Sequence, residues 1–161
     1  MTAHKINIDD FDDSDYKVIA IHSGLEDFRI AYFINKILNT RLSICPEQIE
    51  LKVENTYALF NHYSYTDLDH DVLWNLIPNK THFQSVIKES TSLFNEQDTA
   101  FRSYIYLLPE LKSVDFLLKI DDIDEAFDID LVIDKIKTLR FVSLVYELQQ
   151  NKIKNKNNLI F

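Results

Sequence analysis

The stretch Lys17–His22 (KVIAIH) is apolar on both of its alternating faces, through Val18 and Ala20 on one side and Ile19 and Ile21 on the other. Such a strand cannot present a wet face. It belongs at the centre of a sheet covered on both sides, or against a helix layer. A helix signal follows at once. Ser23 to Glu26 has the form S-x-x-E, which predicts a capping box. Ile30, Phe33, Ile34, Ile37 and Leu38 then recur at i, i+3, i+4, i+7 and i+8, which predicts an amphipathic helix from about Gly24 to Leu38. Gly24 is the one glycine of the chain and sits where a phosphate-binding loop would be. A single glycine does not make such a loop, which needs several backbone N–H groups in close approach.

The rest of the chain alternates strand and turn signals. Asn39 to Asn55 reads as a connector with room for short structure. Thr56 to Tyr65 (TYALFNHYSY) alternates as one aromatic-rich strand, with Tyr57, Leu59, Asn61, Tyr63 and Tyr65 on a common face. Thr66 to Asp69 makes the turn, and Val72 to Ile77 returns until Pro78-Asn79 stops it. Thr81 to Lys88 either extends this sheet or forms a short helix. Ser90 to Thr99 is polar and loop-like, and Phe101 to Leu108 is a further strand. Pro109 to Lys112 reads as one helical turn, since proline at the first helical position loses no hydrogen bond. Val114 to Ile120 is a strand. Asp128 caps a helix carrying Ile129, Val132, Ile133 and Ile136. Val142 to Leu148 is the last strand, and the tail ends in Leu159-Ile160-Phe161, an apolar terminus expected to dock.

Strand, helix, two or three antiparallel strands, strand, helix, strand is the split βαβ order. The expected fold is therefore α+β: a ferredoxin-like sandwich with two helices on one face of a mainly antiparallel sheet and an elaborated central hairpin. With 161 residues, one domain over 16–161 is expected, preceded by a polar arm over 1–15.

Charge narrows the function. The net charge is −9, with acid crowded at Asp9, Asp10, Asp12, Asp13 and Asp15 and again from Asp121 to Asp134. Such a field repels phosphate backbones and anionic membrane surfaces, so neither nucleic acid nor membrane is an expected partner. No apolar run approaches the ~18 residues of a membrane span, and the first residues do not read as a secretory signal. Cys45 is the one cysteine, so no intrachain disulfide and no cysteine-based zinc site can form. Cys45 reads as a structural thiol of a cytoplasmic protein.

No metal or cofactor is expected. Asp67, Asp69 and Asp71 alternate like the start of an EF-hand loop, but the positions that loop needs as glycine and glutamate hold Val72 and Pro78. His62 and His70 could face each other across the hairpin, without established metal-ligand spacing. His22 beside Ser23 suggests nucleophilic chemistry only with a third orienting group, and Ser23 is already explained as a cap. Tyr57, Tyr63, Tyr65 and Trp74 make an aromatic hairpin that offers a contact face, without the basic rim of a base-stacking platform; ordinary cross-strand packing is the favoured use of these rings.

The stretch Leu108-Pro109-Glu110-Leu111-Lys112-Ser113-Val114-Asp115-Phe116 resembles the signature of the IPExxxVDY family, uncharacterised proteins of Bacteroidetes-type bacteria. Leu108 stands where the family has Ile and Phe116 where it has Tyr, so no role resting on that hydroxyl carries over. The resemblance implies a bacterial source and no activity. It singles out Pro109, Glu110, Val114, Asp115 and Phe116. Asp115 is a poor strand residue among Val114, Phe116, Leu117 and Leu118, and such departures mark functional or specially bonded positions. Three functions follow as expectations: a non-catalytic protein-interaction or regulatory module, with a protein partner or a second copy; a small-ligand sensor; and, less favoured, a hydrolase using Glu110 and Asp115.

Overall fold

The computed structural model describes residues 16–54, 56–84 and 102–161. The polar arm with its acid cluster and the polar stretch 90–99 lie outside the described residues.

β1 (Tyr16–Ser23) is the pivot. β9 (Phe116–Asp121) and β10 (Val142–Leu148) flank it, both antiparallel. β6 (Val72–Pro78) pairs with β9, β5 (Tyr63–Asp67) with β6, and the short β2 (Ser43–Ile44) with β5. The order is β10-β1-β9-β6-β5-β2. α1 (Asp27–Leu38) carries the chain from β1 towards β6 with β9 between them, and α2 (Ile129–Lys137) links β9 to β10 with β1 between them. These two interleaved crossings are the expected split βαβ pattern.

Both faces of β1 are covered. Ile19 and Ile21 pack with Ile30 and Ile34 of α1 and Val132, Ile133 and Ile136 of α2 in one core. Val18 and Ala20 point the other way, into a second core with Phe60, Leu107, Leu108, Leu117, Ile153 and Leu159. Burying a side chain of this kind is worth about 1.5–3 kcal/mol. A sheet with two apolar faces needs both layers for that reason. The second layer is assembled from irregular pieces. A ribbon of β3 (Ile49–Val53) and β4 (Thr56–Phe60), a ribbon of β7 (Lys80–Gln84) and β8 (Arg102–Tyr106), a 3-10 turn at Pro109–Leu111 and the docked C-terminal tail supply it.

Four expectations are corrected. First, α1 begins at Asp27, not Gly24, and Ser23 is no cap: Glu26 occupies that position and makes no side-chain capping bond. The Ser23 hydroxyl instead donates to the Phe141 carbonyl at 2.8 Å, tying β1 to the turn before β10. Second, Thr56 to Tyr65 is two strands in different sheets. Asn61 and His62 break it, because Asn61 donates to Asp27 (2.6 Å) and His62 bonds Asn75 (2.8 Å). Third, His62 and His70 lie at opposite ends of β5 and do not meet; His70 pairs with Asp67. Fourth, Asp115 precedes β9 rather than lying within it.

Other expectations hold. The Asp128 carboxylate accepts the Leu131 N–H at 2.9 Å and caps α2. Asn39 closes α1 in the left-handed conformation, φ 56°. Asn35 then clamps the exit, accepting the Leu42 N–H and donating to the Leu42 carbonyl. Thr81 to Gln84 is strand rather than helix, within β7, but it does not extend the hairpin's sheet: it pairs with β8 in a separate ribbon, and 85–88 lies outside the described residues.

Candidate functional site

The turn between β8 and β9 is held by one buried side chain. Asn79 is 0% exposed. Its Nδ2 donates to the carbonyls of Leu111 (2.8 Å) and Val114 (3.1 Å), and its Oδ1 accepts the Leu108 N–H (2.8 Å). Its backbone bonds Asp115 and Leu107. The proline turn of the motif is thus shaped around an asparagine that follows the strand-breaking Pro78. Pro109 opens the turn at the surface, and Val114 is buried in the second core.

The two motif carboxylates part company. Glu110 turns to the tail: Oε1 accepts the N–H groups of Lys154 (2.7 Å) and Asn155 (3.0 Å), and Oε2 accepts the Asn155 side-chain amide (2.8 Å). Partial burial pushes this carboxyl up, but the bonds from Asn155 and Lys154 together outweigh that and hold it below its ordinary value. Asp115 turns to β1. Its Oδ2 accepts the Ser23 N–H (2.9 Å), and its Oδ1 pairs with Lys80 Nζ (3.1 Å). Glu110 does not line the cavity that Asp115 lines. The structure therefore does not bring the two together as a catalytic pair.

That cavity is a groove of about 520 Å³ where the end of β1 meets the start of α1. Asp115 and Phe116 border it, with Gly24, Glu26 and Asp27 from the turn into α1. The β7–β8 ribbon adds Lys80, His82 and Tyr104, and the β4 end adds Leu59 and Asn61. Lys80 Nζ lies 5.7 Å from the centre of the Tyr104 ring, and the His82 and Tyr104 rings are 4.5 Å apart. Gln48 donates to Asn61, and Asn61 donates to Asp27. Asp27 also receives the Tyr63 hydroxyl; burial first, then the Asp27 charge and this bond, push the phenol up to about 12. A Cβ on Gly24 would meet nothing within 4 Å, so glycine there answers no steric demand of the chain itself.

The groove offers binding chemistry rather than an assembled reaction centre. The Ser23 hydroxyl is committed to Phe141, and His22 Nε2 makes no hydrogen bond among the described residues, so His22 does not activate it. Among the described residues no group of three or more His, Cys, Asp or Glu is placed to hold a metal ion. Cys45 contacts the Ser64 hydroxyl at 3.1 Å.

The aromatic contact face expected on the hairpin is not one face. Tyr63 and Trp74 are each 7% exposed and belong to the helix-side core, and Tyr65 packs half-buried against it. Tyr57 is 56% exposed, on β4 in another sheet. Other exposed aromatics lie away from the hairpin, among them Phe28 and Tyr32 on one side of α1 and Phe141 beside Phe33. Their i, i+4 spacing was visible in the sequence, but a second apolar stripe beside the buried one reads as a broad core face.

Two buried polar groups also escaped the sequence reading. Asn79 looks like a turn residue after proline. Lys119 interrupts a strand of core residues, yet is 9% exposed, pairs with Asp121 at 2.7 Å and lies 5.0 and 5.1 Å from the rings of Tyr16 and Phe161. No helix among the described residues is long and apolar enough to cross a membrane. No protein-family model matches the chain, and no curated protein matches it in sequence.

Proposed function

We propose that the protein is a non-catalytic binding module whose groove takes a small polar ligand bearing both signs of charge. The observation that carries this reading is the convergence at one cavity of Lys80 and His82 with Glu26, Asp27 and Asp115, all held by elements that pack on the two cores. The volume is within the roughly 300–1,000 Å³ of small-molecule sites. The motif carboxylate of Asp115 and the Ser23 hydroxyl beside it are already bonded within the chain, which favours binding over turnover. The acidic balance and lone thiol support a cytoplasmic setting without nucleic-acid partners.

A thermal-shift screen against zwitterionic metabolites tests the reading. A ligand that binds the folded state raises the melting temperature by mass action. The shift should vanish in Lys80→Ala and His82→Ala. A shift that survives both, or no shift with any ligand, overturns it.

Exposed Phe28, Tyr32 and Phe141 favour a second reading, a protein-interaction surface on the helix side. Phe28→Ser/Tyr32→Ser should then change co-purifying partners without altering the thermal shift. The IPExxxVDY resemblance is compatible with either reading and supplies no activity.

A further inference from the structure

Aromatic rings and cations form one exposed band on the helix side. Along α1, Ile30, Ala31 and Ile34 face the core. At 3.6 residues per turn, Phe28, Arg29, Tyr32 and Lys36 fall together on the opposite side, and all four are exposed. Three rings are joined in series: Tyr32 meets Phe33 edge to face at 5.4 Å, and Phe33 meets Phe141 at 5.8 Å. The Arg140 guanidinium lies 5.6 Å from the centre of the Phe141 ring and continues the band beyond α1. Phe28, Tyr32 and Phe141 are 57%, 60% and 44% exposed. A joined apolar surface of this kind marks a docking site, where single exposed residues would not.

Its charge selects what docks. Among the described residues Arg29, Lys36 and Arg140 form no ion pair with an acid. The acids nearest in sequence, Glu26 and Asp27, line the groove at the start of α1. The band is thus a cationic, aromatic island on a chain of net charge −9. A membrane or a nucleic acid would meet the field of the whole chain, whereas a short acidic segment need meet only the island. The chain carries such a segment. Residues 1–15, outside the described residues, hold Asp9, Asp10, Asp12, Asp13 and Asp15 around Phe11, after Ile6 and Ile8. They lead directly into β1 at Tyr16. Fully extended, they reach about 50 Å, against about 26 Å for the length of β1, so they can span from Tyr16 to the start of α1. A tether this short presents the segment at roughly millimolar effective concentration.

We infer that the N-terminal segment of the same chain docks on this band. Its aspartates meet Arg29, Lys36 and Arg140, and Phe11 packs against the series Tyr32, Phe33 and Phe141. A protein partner at this surface must therefore compete with the segment. The inference does not rest on the ligand proposed for the groove.

Carbodiimide cross-linking of the full chain tests it, because the reagent joins a carboxylate to an amine in direct contact. After proteolysis, mass spectrometry of the monomer should find Lys36 joined to the aspartates of residues 9–15 in excess over Lys52 and Lys112, exposed lysines of the second layer. The charge reversal Arg29→Glu/Arg140→Glu, its fold checked by circular dichroism, should lower the Lys36 yield at least ~5-fold. Phe11→Ser should lower it as well. Adding Asp10→Arg/Asp12→Arg to the reversal variant should restore the yield through the remaining aspartates, which a merely structural effect of the reversal would not do. Equal yields at Lys36, Lys52 and Lys112, adducts of Lys36 found only in cross-linked dimers, or a yield unchanged by the charge reversal overturns the inference.

Discussion

The Glu110 carboxylate holds Asn155 by both its backbone N–H (3.0 Å) and its side-chain amide (2.8 Å), across 45 residues of sequence. The turn before β9 thereby fastens the C-terminal tail, whose Ile153 and Leu159 complete the second core. Removing this acceptor in Glu110→Ala should cost about 1–2 kcal/mol, the scale of hydrogen bonds to a charged group at a partly wet site. Hydrogen exchange at Lys154 and Asn155 should accelerate. The folded carboxyl titrates below its unfolded value, so its contribution is full above about pH 4.5 and is lost as pH falls through the folded pKa. Urea unfolding of wild type and Glu110→Gln from pH 3 to 7 should diverge above that window and converge below it.

Asn79→Ala should destabilise by about 3 kcal/mol. The substitution strips the Leu108 N–H and the carbonyls of Leu111 and Val114 of their partner where water does not reach. Denaturant unfolding checks it. A loss under about 1 kcal/mol would mean that the turn repacks without its hub.

Tyr63 should resist ionisation. Its phenol is raised to about 12, so one tyrosine should remain protonated through pH 11 in an ultraviolet titration of the folded protein. The stabilising contribution is fully present below about pH 10, the unfolded value, and is lost as pH rises through the folded value of about 12. Tyr63→Phe should remove that part of the alkaline pH dependence.

Lys119 and Asp121 should behave asymmetrically. Asp121→Ala leaves a largely buried ammonium without its 2.7 Å partner and removes the acceptor of the Asn75 amide, at about 2–3 kcal/mol. Lys119→Met keeps the stem's packing against Tyr16 and Phe161 and removes the desolvated charge, so its stability should stay within about 1 kcal/mol of wild type. Thermal unfolding of the two variants and of the pair checks the coupling.

The two-faced apolar pattern of Val18 to Ile21, the helical spacing in α1 and α2, the Asp128 cap and the proline turn were all legible. Each is decided by neighbours within a turn or two, where side-chain period and backbone sterics act directly. The same local rules placed β1 at the centre and both helices on one face. They could not find the break at Asn61 and His62. Tyr57, Tyr63 and Tyr65 keep one alternating face across it, and side-chain bonds to Asp27 and Asn75, with the Cys45 N–H on the His62 carbonyl, hold the chain where β4 gives way to β5. Nor could they separate Glu110 from Asp115. The motif sets them five positions apart, but one oxygen set is claimed by the tail and the other by Ser23 and Lys80. Trp74 and Tyr63 read equally as cross-strand packing or as part of a contact face, and the layer of helices above them makes them core. Local sequence thus determined the kinds of element and their apolar faces, because those depend on short-range period. The tertiary structure alone decided which polar groups meet and where cavities remain, because those contacts join residues from distant parts of the chain.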